Sequence, residues 1–256
     1  MSAKILSVVN QKGGVGKTTT AVNLATIFAV MDKKVLLIDL DSQGNSSSGL
    51  GIIQEQRRVT CYHIFCGMDV IENAVITSEV PGLSIVASNT NLAAVEMELF
   101  DKDNHELILK KSLHSIVDHY DYIVIDCPPS LNLLTLNALV ASDSVIIPML
   151  CDFYSLEGLS HLLKTIEIIE KKLNPKIKVA GILFTMYDKR NRLTEQVERD
   201  VRKCLGGMVF NTVIPRNVRV SEAPSHGKAA IIYDHKCSGS RAYINLAKEI
   251  IKREKR

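Results

Sequence analysis

At 256 residues, 46% hydrophobic, 23% charged and without tryptophan, the chain has the composition of a globular protein that can bury a core without disulfide staples. No apolar run approaches the length that crosses a bilayer and no secretory hydrophobic region opens the chain, which argues against membrane-spanning and secreted classes and leads us to expect a cytoplasmic protein. Net charge is only +3, yet residues 1–150 hold 10 Lys/Arg against 16 Asp/Glu while residues 151–256 hold 21 against 12; that asymmetry fits either an anionic partner for the second half or ordinary solvated helix faces.

In chain order, short β-branched runs alternate with longer helical patterns. A strand over Ile5–Asn10 leads through a glycine-rich turn into a helix over Lys17–Met31, then a strand over Val35–Asp39. The segment Ser42–Val80 is irregular: "SQGNSSSGLG" reads as a turn-rich surface loop, followed by short helices. A strand over Leu83–Ala87, a helix over His105–His119, a strand over Tyr122–Asp126 and a helix over Leu131–Val140 come next. Strands over Ser144–Met149, Val179–Thr185 and Val209–Ile214 then alternate with helices over Ser155–Lys172, Leu193–Cys204 and Arg241–Arg253. "VLLID" and "YIVID" are apolar throughout, as in strands buried on both faces. The alternation predicts an α/β fold, a mostly parallel twisted sheet flanked by helices, in one domain spanning 1–256.

The turn "NQKGGVGKTTT" departs from GxxxxGK[ST]: Gln11 stands where the first glycine belongs, and a second lysine, Lys12, sits at the entrance. Its strand–turn–helix setting is nevertheless that of a phosphate loop. Gly13, Gly14 and Gly16, with Val15 between them, let the backbone approach a phosphate at a helix N-terminus. Lys17 is placed to reach the β/γ-phosphates, Thr18 to ligate Mg²⁺ and Thr19 to meet the α-phosphate. Asp126 ends a Walker B-like strand and is the second candidate metal residue. Asp39 ends the neighbouring run. Asp41 is the candidate to orient or deprotonate an attacking water; capping the next turn is its alternative role. The six cysteines form no C-x-x-C pair and are expected to be reduced and mostly buried.

"KGGVGKTT", "DLDSQGN", "DCPPS" and "IPRNVRVSEAPSHGK" together resemble the ParA/Soj family of chromosome- and plasmid-partition ATPases, P-loop NTPases with a deviant Walker A motif. "KGGVGKT" alone is shared with MinD and the nitrogenase iron protein; "PRNVRVSEAPS" is the discriminating stretch. With no long segment before the loop, the chain resembles the short Soj-like branch without a helix-turn-helix. The resemblance implies ATP and Mg²⁺ as cofactors and makes Lys12 the signature lysine, reaching the partner subunit's ATP in a sandwich homodimer. It makes Asp41 the water-activating residue and Asp126 the Walker B carboxylate. Pro215 and Asn217 are implied to frame the adenine, and Arg190 and Arg219 to contact DNA without sequence preference. Lys189, Arg192, Arg216 and Lys228 would extend that patch, or be solvated surface charges. A ParB/Spo0J-type protein is the implied partner that stimulates hydrolysis, and the location is cytoplasmic, on the nucleoid. Ser42 stands where such sequences commonly carry proline.

Two alternatives are weighed. A MinD-like ATPase would insert a terminal amphipathic helix into lipid, but Tyr243, Leu246, Ala247, Ile250 and Ile251 form a stripe more typical of a core-facing helix, and "KREKR" holds no apolar anchor. A nitrogenase-type iron protein would need cluster-bridging thiols; Cys127 beside Asp126 lacks the matching spacing. His226 reads as packing or phosphate-adjacent.

Overall fold

The computed structural model describes residues 2–254. Seven strands form one sheet: β1 (Lys4–Val8), β2 (Val35–Asp39), β3 (Val75–Thr77), β4 (Leu83–Val86), β5 (Tyr122–Asp126), β6 (Ser144–Met149) and β7 (Lys178–Phe184). Their order is β3-β4-β2-β5-β1-β6-β7. Every pairing is parallel except β3 on β4. The helices are α1 (Lys17–Val30), α2 (Asn45–Gly49), α3 (Cys61–Phe65), α4 (Ile71–Ala74), α5 (Val95–Glu98), α6 (Ile108–Leu113), α7 (Leu133–Ala141), α8 (Phe153–Lys172), α9 (Arg192–Leu205), α10 (Val218–Glu222), α11 (Ala230–Tyr233) and α12 (Ser238–Glu254). This is the doubly wound α/β architecture that the alternation predicts.

Alternate residues of each strand feed two cores, one on each face of the sheet. Leu36, Ile38, Ile123 and Ile125 join the side covered by α3, α7 and α8. Leu37, Val124, Leu6 and Val8 join the side covered by α1 and α12. α1 is buried on most of its circumference, because α12 lies across its outer surface: the Tyr243 hydroxyl is 3.3 Å from Thr20 Oγ1. Tyr243, Leu246, Ala247 and Ile250 are all buried, so the apolar stripe of the last helix faces the core; Ile251 is partly buried beside it. The last two residues of "KREKR" lie outside the described residues.

Three expectations need correction. Val209–Ile214 is not a strand; it touches β7 through a single bridge, Ile182 with Val209, and a second isolated bridge, Tyr187 with Pro215, lies just beyond both segments. Its ends still bond to β7, Phe210 N donating to Ile182 O at 2.9 Å and Ile214 N to Phe184 O at 2.8 Å, but side chains take the groups between: Glu249 accepts from Asn211 N and Thr212 N at 2.8 and 2.9 Å, and Arg253 donates to Val209 O at 2.7 Å. The Phe210 ring fills the space over Gly181, where a Cβ would lie 2.6 Å from it. The helix expected over His105–His119 breaks into α6 between two 3₁₀ turns, and Val117 O is drawn off to accept from Ala3 N at 3.0 Å. Finally, β3 falls in the stretch read as irregular, being a three-residue edge strand too short to show alternation.

Candidate nucleotide site

The site lies at the C-terminal edge of the central strands, where parallel sheets bind ligands. Strand register builds it. Asp39 of β2 pairs directly with Asp126 of β5, and Asp126 with Val8 of β1, the last strand residue before the glycine-rich turn. Two carboxylates and the loop therefore sit side by side at one level.

Asn10 fixes the loop's entrance: its amide donates to Pro148 O at 2.6 Å, and its oxygen accepts from Lys12 N at 2.9 Å. Val15 is buried, and its carbonyl accepts from the Thr185 hydroxyl at 2.8 Å. Gly16 adopts φ 85° at the N-terminus of α1, a left-handed conformation that suits glycine, and no side chain caps the helix. The first amides of α1 thus face the site with their partial positive charge and no acidic residue in the first turn. Lys17 is buried and folds back, donating from Nζ to Lys12 O at 2.9 Å. Burial lowers its pKa, opposed by the charges of Asp126, Cys127 and Asp41.

Both strand-end carboxylates are inaccessible to solvent. Burial pushes Asp126 up to about 7, helped by the charge of Asp39 and opposed by the Thr18 and Ser46 hydroxyls. Burial likewise pushes Asp39 up to about 6, opposed by hydrogen bonds from Ser47 and Asp41. Asp39 Oδ2 accepts from the Ser47 amide and hydroxyl at 2.8 and 2.7 Å. Asp126 Oδ2 accepts from Ser46 Oγ at 2.8 Å, while Oδ1 is buried with no partner. An orphan carboxylate oxygen beside Thr18 and a phosphate loop is the donor set that a hard, water-coordinated cation such as Mg²⁺ takes.

Ser46 and Ser47 are the residues that sequence reasoning missed. "SQGNSSSGLG" is not all surface loop: it folds into α2, and both serines are fully buried against the two aspartates. The available signal was a run of small hydroxyl residues just beyond "DLDSQGN". Asp41 is half-buried; its Oδ1 accepts from Gln43 N at 3.0 Å, so it does cap the following turn, and its backbone N donates to Asp39 Oδ1 at 3.2 Å.

Lys12 does not point at its own loop. Its Nζ lies 2.6 Å from Asp152 Oδ2. Asp152 also caps α8, accepting from Ser155 N at 2.9 Å. Burial would raise the Asp152 pKa, but the hydrogen bonds from Lys12 and Ser155 outweigh it and leave the carboxyl below its ordinary value.

Pro215 and Asn217 line a cavity of about 510 Å³ together with Gly16, Thr19 and Met186. Asn217 is also a structural cap, accepting from Val220 N at 3.3 Å and donating to Ser238 Oγ at 2.9 Å. Arg190 and Arg219 stand outside this cluster, exposed and paired in cis. Arg190 forks onto Asp188 at 2.9 and 2.8 Å; Arg219 reaches Glu222 at 3.0 Å and Asp234 at 3.9 Å. Lys189, Arg192, Arg216 and Lys228 are exposed. His226 stacks on Tyr233 at 4.8 Å between ring centres, a packing role. Cys127 is buried, its pKa raised by burial and by Asp126, and the described residues hold no cluster of three or more His, Cys, Asp or Glu placed to share a metal.

A family model described as an AAA domain matches residues 3–179. The chromosome partitioning protein ParA of Caulobacter vibrioides is 50% identical over 98% of this chain and 95% of its own. The sporulation initiation inhibitor protein Soj of Bacillus subtilis is 48% identical over 96% and 98%. Among solved structures, a cobyrinic acid a,c-diamide synthase from Mycobacterium smegmatis with bound ATP analog and magnesium superposes with a TM-score of 0.87 at 31% identity, covering 99% of this chain and 96% of that one. No helix among the described residues is long and apolar enough to cross a membrane.

Proposed function

The chain belongs to the ParA/Soj family of partition ATPases, and on that premise we propose that it is a Mg²⁺-dependent ATPase whose ATP-bound homodimer holds DNA without sequence preference and releases it on hydrolysis. One observation carries the nucleotide reading: Asp39 and Asp126 in register beneath an uncapped helix N-terminus, with Lys17 buried beside them and Asp126 Oδ1 unpartnered. The amides of Gly13, Gly14, Val15 and Gly16 cradle the phosphates, Lys17 neutralises the β/γ-oxygens and Thr19 reaches the α-phosphate. Thr18 and Asp126 are the residues that hold Mg²⁺, which when bound neutralises charge on the β- and γ-phosphates. The purine sits in the cavity between Pro215 and Asn217. Asp41 orients the attacking water.

Lys12 serves the other subunit's phosphates. A cation that arrives only on assembly makes hydrolysis depend on the dimer, because phosphoryl transfer is accelerated mainly by positioning and charge. Arg190 and Arg219 meet DNA phosphates after exchanging their cis partners, with Lys189, Arg192, Arg216 and Lys228 around them. A ParB/Spo0J-type partner stimulates turnover, and the protein works in the cytoplasm on the nucleoid. α12 turns its apolar stripe onto α1, which speaks for this reading over a MinD-like one, since lipid insertion needs exposed apolar area.

Gel filtration and DNA binding with ATP against ADP test the proposal. Asp41→Ala should bind ATP normally, lose about 100-fold in hydrolysis and accumulate as a DNA-bound dimer. A variant that holds ATP yet stays monomeric would sink the mechanism. Arg219→Ala should keep ATP affinity, weaken DNA binding about threefold and reduce the salt slope by about one; an unchanged salt titration counts against the patch.

A further inference from the structure

Two glycines from distant parts of the chain meet backbone to backbone. Gly51, just past α2, has φ 76°; Gly227, closing the 3₁₀ turn Ala223–His226, has φ 63°. A Cβ on Gly227 would lie 2.7 Å from Gly51 Cα and 3.1 Å from Gly51 N, and a Cβ on Gly51 would lie 3.2 Å from Gly227 O. Neither backbone can approach so closely with a side chain on the Gly227 face.

The contact joins two segments with different work. On one side is α2, held at its start by the aspartates through Ser46 and Ser47. Past its end, Arg57 donates to Ser48 Oγ at 2.8 Å and to Ile52 O at 2.7 Å. On the other side is residues 217–229, which begins at the Asn217 cap and carries Arg219 and Lys228. That segment is anchored to α1 where Asn23 accepts from Ala230 N at 2.9 Å. Between α1, α2 and this segment lies a cavity of about 310 Å³, lined by Thr19, Asn23, Asn45, Ser48, Pro224 and Lys228. α2 and the turn Ala223–His226 run close together beside this cavity, and the glycines are where the two backbones come into direct contact.

We propose that the Gly51–Gly227 contact is a strut that passes the state of the Asp126 site, through α2, to the basic segment 217–229. The helix bonded to Asp126 through Ser46 is the one that feels any change in that carboxylate's partners. A rigid end-to-end contact, with a void beside it, moves the far segment when the helix shifts. The role assigned to Arg219 and Lys228 rests on the DNA-binding reading; the transmission itself does not.

Backbone hydrogen exchange over residues 218–229, with Mg²⁺–AMPPNP against Mg²⁺–ADP, reads the transmission directly. Wild type should show a nucleotide-dependent change of about fivefold or more. Gly227→Ala should lose that difference while binding both nucleotides within about threefold of wild type. Gly51→Ala, whose added Cβ meets one carbonyl at 3.2 Å, should lose part of it and serves if Gly227→Ala fails to fold. Gly67→Ala controls for left-handed backbone strain alone, since Gly67 has φ 70° with nothing within 4 Å of its Cβ position; it should behave as wild type. The proposal is overturned if wild type shows no difference in this segment, if Gly227→Ala (or, should that variant not fold, Gly51→Ala) keeps it, or if Gly67→Ala loses it equally. A parallel DNA-binding assay separates the readings: wild type that transmits by exchange but never binds DNA refutes the partition mechanism and leaves the strut standing.

Discussion

The strand-end cluster and the outward-facing cations use charge in opposite ways. Asp39, Asp126 and Lys17 are buried, placed by the register of adjacent strands and by the first turn of α1. Arg190 and Arg219 are exposed and Lys12 is half-buried, each paired with an acid of its own chain. The first group is preorganised and carries the desolvation cost of burial in its raised carboxylate pKa values. The second is held in exposed or partly exposed ion pairs, each worth about 0–1 kcal/mol at the surface, which a second macromolecule can displace. On the proposed function, the groups that meet the nucleotide inside the fold are fixed by the sheet, and those that would meet another molecule are parked where exchange costs little.

Removing a member of the fixed group should hurt most. Lys17→Ala takes the buried cation from beneath the phosphates and should weaken ATP binding about 100-fold by calorimetry, since hydrogen bonds to charged groups contribute about 1.5–3 kcal/mol each. A loss below about fivefold would mean that the helix amides alone hold the phosphates. The parked group should respond more gently and in the other direction. Asp152→Asn keeps a good N-cap for α8 but frees Lys12, so ATP-dependent dimerisation should tighten by up to about fivefold in sedimentation. Weaker dimerisation would show that Asp152 itself serves the interface and that the pairing is no restraint.

The division also explains what could be read from sequence. The β1–loop–α1 unit and the two aspartate-ended strands were legible because each is a local pattern: an apolar run, a turn chemistry, a helix start. Their meeting at one level followed from parallel topology. Ser46 and Ser47 were not legible, because small hydroxyl residues in a Gly/Asn-rich run read as a surface turn, and only burial against Asp39 and Asp126 makes them a helix. Val209–Ile214 failed for a related reason: Phe210 packs on Gly181, and Glu249 and Arg253 take the backbone groups of Val209, Asn211 and Thr212, leaving only Phe210 N and Ile214 N on β7. The cis partner of Lys12, Asp152, lies 140 residues away in sequence, on an element that no local window contains.

The smallest effect tests the claim that the buried carboxylates carry a cost. In the metal-free, nucleotide-free protein, Asp126 titrates near 7 and Asp39 near 6, against an ordinary aspartate value of about 3.9 in the unfolded chain. The folded state thus binds more protons than the unfolded state across that window. Linkage then makes stability greatest below about pH 4 for this pair and lost progressively as pH rises through 6 and 7. Between pH 8 and pH 5.5 the pair should contribute about 3 kcal/mol, or about 6–12 °C in Tm for a chain of this size. Asp126→Asn, which keeps the shape and removes the charge, should flatten most of that slope, separating it from titration elsewhere in the molecule. Saturating Mg²⁺–ATP should flatten it as well, because a bound cation favours the ionised carboxylate. If the apo protein instead melts higher at pH 8 with the same slope in Asp126→Asn, the strand-end carboxylates are not strained by burial, and the contrast between the fixed and the parked charges loses its energetic basis.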